Sequence, residues 1–259
     1  MRVVFASARS APGVTTAMLA CASVWPGEVL LVEAAEDGGS LAARFGLPLE
    51  PGLMTLGAAA RNEGQTSVAS HTQVLPGTEG RISVLVGPPA TEPAQALLKS
   101  AATRIALLLA AVDTPVLIDA GRLSATPLAA PLIAGADRLV LVARPRVEEL
   151  QALAYRLAVL ARFGPTPELL LVGDTPYGPE EVSTTLGCQV LGVLAHDPAA
   201  ADTLAGVSPS RRLARSLLLR SAITVVGNLN QPAVAELGSE PTVPSEPPVP
   251  SRRVTAVRP

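Results

Sequence analysis

Lysine is almost missing from this chain of 259 residues. Lys99 stands alone, so every other basic side chain is an arginine. Chemistry that ordinarily calls on an ammonium group must here use guanidinium or do without it. Aromatic residues are also scarce, at 2%, and the net charge is −2. That balance lacks the basic surplus of a typical nucleic-acid binder, although local basic patches remain open. There are two cysteines, Cys21 and Cys188, far apart and with no CxxC or clustered histidine around them. The spacing argues against a zinc site, and both thiols are read as reduced and buried. No apolar run approaches the ~18 residues needed to cross a bilayer. The start runs into "RVVFAS" without the pattern of a secretory leader. The expected location is therefore cytoplasmic, with a peripheral place on the inner membrane face left open. His71 and His196 have no nucleophile near them in sequence and are read as structural or binding residues.

What the chain does have is apolar character, 48% of its residues, laid out in short runs. Seven of them read as strands: 3–7, 29–33, 82–87, 115–120, 138–143, 168–173 and 189–194. Most do not alternate, as suits strands buried on both faces of a parallel sheet. Helix-like stretches lie between them at 14–24, 93–111, 147–163, 179–186 and 210–229. The expected fold is α/β, a mostly parallel central sheet of about seven strands with helices on both faces. From about residue 231 the sequence turns rich in Pro, Ser, Glu and Val, ending "SEPPVPSRRVTAVRP". Proline fixes φ and removes a donor, so 231–259 is expected to be a disordered Pro-rich tail on a folded unit of 1–230.

In open α/β sheets, ligands sit beyond the carboxyl ends of the strands. The first such turn reads "SARSAPGVTT". A phosphate loop needs inward N–H groups, small residues, a lysine for the phosphates and a hydroxyl for Mg²⁺. Gly13, Thr15 and Thr16 fit the end of one. Val14, however, stands where the lysine belongs. The dinucleotide pattern GxGxxG is absent too, because the loop has one glycine.

The loop resembles the deviant phosphate-binding motif of the MinD/ParA family of P-loop ATPases, K-G-G-x-G-K-[TS]-T. Laid on that pattern, Arg9 takes the signature lysine, Ser10 and Ala11 the paired glycines, Pro12 the variable position and Gly13 the third glycine. Val14 takes the P-loop lysine and Thr15 the magnesium-binding hydroxyl. Further stretches match in order: "VLLVEAAEDGGSLAARFGL" (29–47), "PVLIDAG" (115–121), "GADRLVLVARPRVEELQAL" (135–153), and 169–206 with its closing Pro-x-Asp-like region. The resemblance spans most of 1–225. It implies ATP and Mg²⁺ as cofactors, with Arg9, Ser10, Ala11, Gly13, Val14, Thr15 and Thr16 at the nucleotide. Thr15 would meet the metal directly and Asp119 indirectly. Glu33 and Asp119 would be the catalytic carboxylates, if any catalysis occurs.

The departures matter as much as the match. Losing a charge-assisted phosphate contact at Val14 costs about 1.5–3 kcal/mol, or roughly 10–150-fold in affinity. Glu33 replaces an aspartate and is one methylene longer, while Ala35 stands where the family has a second one. Phosphoryl transfer depends on placement, so efficient hydrolysis is not expected. Asp119 has a second reading, as a cap on the following turn. Gly173 and Asp174 stand where the family often has an adenine-binding asparagine.

Two readings follow. In the first, this is a degenerate platform that docks or positions part of a larger machine, with weak or absent ATP hydrolysis. In the second, it is a working ATP-dependent dimerisation switch with Arg9 in place of the signature lysine. The resemblance is strongest to degenerate, actinobacterial-like members that accompany pilus or secretion systems. It implies protein machinery as partner and a homodimer as the working form. DNA or a membrane surface is a further target, through Arg211, Arg212, Arg215 and Arg220. The simpler reading of that helix packs Leu213, Leu217 and Leu218 on the sheet. The Pro-rich tail is a candidate protein-binding segment.

Overall fold

The computed structural model of the chain describes residues 1–9, 13–61, 66–206 and 213–232. Eight strands form one sheet among these residues. They are β1 (Arg2–Ser7), β2 (Val29–Glu33), β3 (Gln73–Val74), β4 (Ile82–Leu85), β5 (Val116–Arg122), β6 (Arg138–Ala143), β7 (Pro167–Val172) and β8 (Val190–Leu194). Their order is β3-β4-β2-β5-β1-β6-β7-β8. Every pairing is parallel except β3 with β4. All seven anticipated strands are present, so the mostly parallel α/β sheet is as expected. The eighth, β3, is two residues on an antiparallel edge, too short to leave a period in the sequence.

The uniform apolar runs are explained by burial on both faces. Val3 and Phe5 of β1 pack on one side, and Val4 and Ala6 on the other. Helices α1 (Val14–Ser23) and α9 (Leu217–Leu229) cover the first face. The second is covered by α4 (Thr91–Ala110), α6 (Val147–Leu160) and α7 (Pro179–Leu186). Four short helices, α2 (Leu41–Phe45), α3 (Leu53–Arg61), α5 (Ala130–Ala134) and α8 (Pro198–Leu204), complete the α-helices of the described residues. None was foreseen; five to nine residues hold too few turns for a clear 3.6-residue period.

The last helix begins later than expected, at Leu217, where the Ser216 hydroxyl accepts from the Leu219 N–H. That shifts its faces. Leu218 is buried, Leu213 partly so, and Leu217 is 62% exposed rather than packed. Arg215 and Arg220 are exposed, while Arg211 and Arg212 lie outside the described residues. The helix ends on a buried ion pair. Arg138 forks onto Glu168, with Nε and Nη2 donating at 2.7 and 2.6 Å. Its Nη1 donates to the carbonyls of Asn228, Leu229 and Gln231, a cation at a helix C-terminus. Among the described residues, no helix is long and apolar enough to cross a membrane.

Candidate functional site

The chain reverses its winding around β1. The crossover to β2 runs one way, and β6, β7 and β8 follow on the other side. Such a reversal opens a crevice at the carboxyl ends of the strands. The β1–α1 turn lies in it. Ser10, Ala11 and Pro12 fall outside the described residues, so their expected roles are not placed by the structure. Gly13 is described, at φ 98° and ψ 39°. That left-handed conformation disfavours any side chain and explains the one glycine of the loop.

Helix α1 starts directly after it. Among the described residues, no side chain caps its first turn and no acidic residue lies there. Its N–H groups and positive dipole end are therefore met by no anion from the described residues, the setting in which a helix terminus takes up a phosphate. Val14 is buried in the core cluster with Ala17 and Met18. The position where a lysine is expected is thus given to packing. Thr16 is partly buried.

Thr15 faces the next strand. Its hydroxyl donates to Asp119 Oδ2 at 2.5 Å, and Asp119 Oδ1 accepts from the Gly121 N–H at 2.8 Å. Asp119 thus ties the loop threonine to the backbone near the end of β5. Glu33 lies beside it, since Glu33 pairs with Asp119 in register between β2 and β5. Each carboxylate is only 2% exposed.

Glu33 is not held as a free base. Oε1 accepts from the N–H groups of Ser40 (2.5 Å) and Leu41 (2.9 Å), and Oε2 from that of Gly87 (3.0 Å). It caps α2 and ties the β2–α2 loop to the end of β4. Gly39 and Gly87 make room: a Cβ on Gly39 would collide with Glu33 Oε2, and one on Gly87 would come within 2.5 Å of the Glu33 carbonyl oxygen. Burial pushes both carboxyls above their ordinary range. Backbone N–H groups pull Glu33 back, while the Asp119 charge adds to its rise. The Thr15 hydroxyl, the Gly121 N–H and the nearby Arg44 charge pull Asp119 back. No cation forms an ion pair with either carboxylate among the described residues.

Sequence reasoning missed several members of this rim. Arg44 follows Glu33's cap on α2. Glu36 is buried and accepts from the Leu128 N–H at 2.6 Å, joining the loops after β2 and β5. Asp37 and Arg122 pair across the same loops at 3.5 Å. Only tertiary pairing of β2 with β5 brings these residues together, so no local pattern could have shown them. Arg9 is exposed, and its Nη1 reaches the Glu148 carbonyl at 3.5 Å.

Of the histidines, His71 lies between the hydroxyls of Thr55 and Thr66, and His196 is exposed next to Asp197, which caps α8. A shallow cavity of about 440 Å³ opens at the opposite, amino edge of the sheet, lined by Glu28, Thr66, Ser83 and Thr114 among others. It contains none of the residues the loop brings together.

The oxygen donors fit a small hard cation. Mg²⁺ is usually held by one or two protein oxygens, with phosphates and waters completing the shell. Thr15 and Asp119 supply such a pair beside a phosphate-ready helix terminus. Among the described residues there is no three-ligand cluster of His, Cys, Asp or Glu, as an all-protein metal cage would need.

No family model matches the sequence, and no curated protein matches it. The fold does match solved structures. One is a ParA family ATPase from Chlorobium tepidum, 17% identical, covering 88% of this chain and 98% of that one with a TM-score of 0.72. The cell division ATPase MinD of Pyrococcus furiosus matches at 19% identity, 88% and 98% coverage and a TM-score of 0.69. MinD of Pyrococcus horikoshii, solved with Mg-ADP, matches at 16%, 89% and 96%, also at 0.69. These likenesses establish the fold alone, a mostly parallel α/β sheet shared with those structures.

Proposed function

We propose that this protein is a weakly nucleotide-binding, essentially non-hydrolysing relative of the MinD/ParA ATPases, working as a docking or positioning platform for a larger assembly. One observation carries the reading: the carboxylate expected to serve hydrolysis, Glu33, is filled by three backbone N–H groups. With Val14 in the core, neither the phosphate-binding ammonium nor a free base is present, and phosphoryl transfer depends on placing both. The nucleotide side of the reading is supported by the uncapped α1 terminus and by Thr15 and Asp119 as the Mg²⁺-facing pair. That the Pyrococcus horikoshii protein was solved with Mg-ADP is in keeping with it.

The platform role leans on what similar folds do. One neighbour is MinD of Aquifex aeolicus in complex with MinC. A protein partner is thus the first target to seek here, and the sequence resemblance names pilus or secretion machinery as one candidate. Homodimerisation belongs to the same proposal. The outward stripe Leu217, Arg220 and Ile223 on α9 keeps DNA or an anionic membrane as a narrower second target.

The test is a turnover assay with Mg·ATP alongside sedimentation of the full chain. The platform reading expects no phosphate release above background and an association state that ignores nucleotide. Measurable turnover would overturn it. The switch reading is favoured by one specific feature, the exposed Arg9 at the head of the loop. It expects ATP to promote dimers and Arg9→Ala to abolish the effect.

A further inference from the structure

Two buried side-chain donors have no hydrogen-bond partner among the described residues, and both are arginine Nε atoms: Arg144 and Arg156. A buried donor left unmade is destabilising, so each needs an account. Arg156 has part of one, because its Nη2 donates to the Ser124 carbonyl. Arg144 has none. Its guanidinium forms no ion pair and no side-chain hydrogen bond with the described residues. Its backbone, by contrast, is firmly set: the Arg144 N–H donates to Oε2 of the buried Glu149 at 2.7 Å, in the first turn of α6.

The position is informative. β6 lies next to β1, with Val3 opposite Arg138 and Ala6 opposite Leu141. That pairing ends at Ala6 and Leu141, and Arg9 and Arg144 each lie three residues past it on the two adjacent chain segments. The contact from Arg9 to the Glu148 carbonyl agrees with that placement. Along β6, Val140 and Val142 pack on the α1 face, and Leu139, Leu141 and Ala143 on the other. Continued one residue, the alternation turns Arg144 toward the side on which α1 and its unanswered N-terminus lie. The only lysine, Lys99, sits on α4 across the sheet and cannot serve.

We infer that Arg144 is a phosphate-binding residue, the cation that takes up a bound nucleotide's charge where position 14 offers only valine. Guanidinium suits the task, since its planar fork matches phosphate oxygens and stays charged at any working pH. This inference rests on the nucleotide-site reading above.

The test titrates the full chain with Mg²⁺ and a slowly hydrolysed ATP analogue, by calorimetry, in wild type, Arg144→Gln and Arg146→Gln. Arg146 is exposed and serves as the neighbouring control. Arg144→Gln is expected to weaken binding about 10–100-fold, and Arg146→Gln by less than about twofold. Wild type and Arg144→Gln binding equally well would overturn the inference and leave the nucleotide reading standing. No binding by wild type up to millimolar ligand would overturn both. Should the glutamine variant melt early, the wild-type protein decides. Saturating nucleotide should slow the reaction of Arg144 with phenylglyoxal, read by mass spectrometry, at least threefold. An unchanged rate would overturn the assignment.

Discussion

Buried charge appears at both edges of the sheet, and the two edges treat it differently. At the amino edge, Arg138 and Glu168 answer each other through two short bonds, and the spare guanidinium N–H groups close the end of α9. Nothing there is left for a ligand. At the carboxyl edge, Glu33 and Asp119 sit side by side at 2% exposure, hydrogen-bonded among the described residues by neutral donors with the Arg44 charge nearby, and Arg144 keeps a buried N–H that has no partner among the described residues. The first arrangement is complete within the protein. The second holds negative charge at one place and an unused positive group at another, as a site does when the charges are completed by something that binds.

Breaking the amino-edge pair should have the largest effect. Arg138→Met leaves the Glu168 carboxylate buried and alone, a change expected to cost about 3–5 kcal/mol. At about 2–4 °C per kcal/mol for a domain of this size, the melting temperature should fall by roughly 6–20 °C. Arg138→Met with Glu168→Leu should recover much of that loss. If the single variant melts like wild type, the pair is not the staple described here.

The carboxyl edge should respond in the opposite sense. Burial raises the Asp119 carboxyl above its ordinary range, so the ionised form strains the free protein. Asparagine can keep both neighbours, accepting from the Gly121 N–H and donating to Thr15. Asp119→Asn should therefore raise the melting temperature of the ligand-free protein by a few degrees, at about 2–4 °C for each kcal/mol relieved, while removing the effect of Mg²⁺ on nucleotide binding. Stability gained at the expense of function is the usual trade at such sites. A lower melting temperature would place Asp119 with the structural charges.

The pH dependence sharpens the same contrast. A carboxyl whose folded pKa is raised binds more protons folded than unfolded. The native state accordingly loses stability as pH rises from its ordinary value, 3.8 for Asp119, through the raised folded one. The advantage of Asp119→Asn over wild type should be full above the raised folded value and shrink as pH falls through that window. Paired thermal melts across the acid range check it. An advantage that grows toward low pH would reverse the sign and contradict the assignment.

How much of this could be read in advance follows the same division. The strands were legible because burial on both faces of a parallel sheet leaves unbroken apolar runs, as in "RLVLVA" of β6. The turn at Gly13 was legible because a left-handed residue at a strand–helix junction selects glycine. The capture of Glu33 by Ser40, Leu41 and Gly87 was not. Gly87 lies 54 residues away and meets Glu33 only because β4 pairs with β2. Arg144 was hidden likewise, since its nearness to the loop comes from β6 lying against β1. The proposed end of the folded unit near residue 230 predicts the smallest effect of all. Deleting 233–259 should move the melting temperature by less than about 2 °C, and a larger drop would extend the domain.

The central claim is that the carboxyl-edge charges are completed by Mg²⁺ and a nucleotide. Its most direct test is thermal melting of the full chain with a slowly hydrolysed ATP analogue, with and without Mg²⁺. A ligand at a hundred times its dissociation constant stabilises by about 2.7 kcal/mol, so the midpoint should rise by several degrees, and only when Mg²⁺ is present. A midpoint unmoved by millimolar nucleotide and Mg²⁺ together would contradict the account and leave Glu33, Asp119 and Arg144 as parts of the scaffold alone.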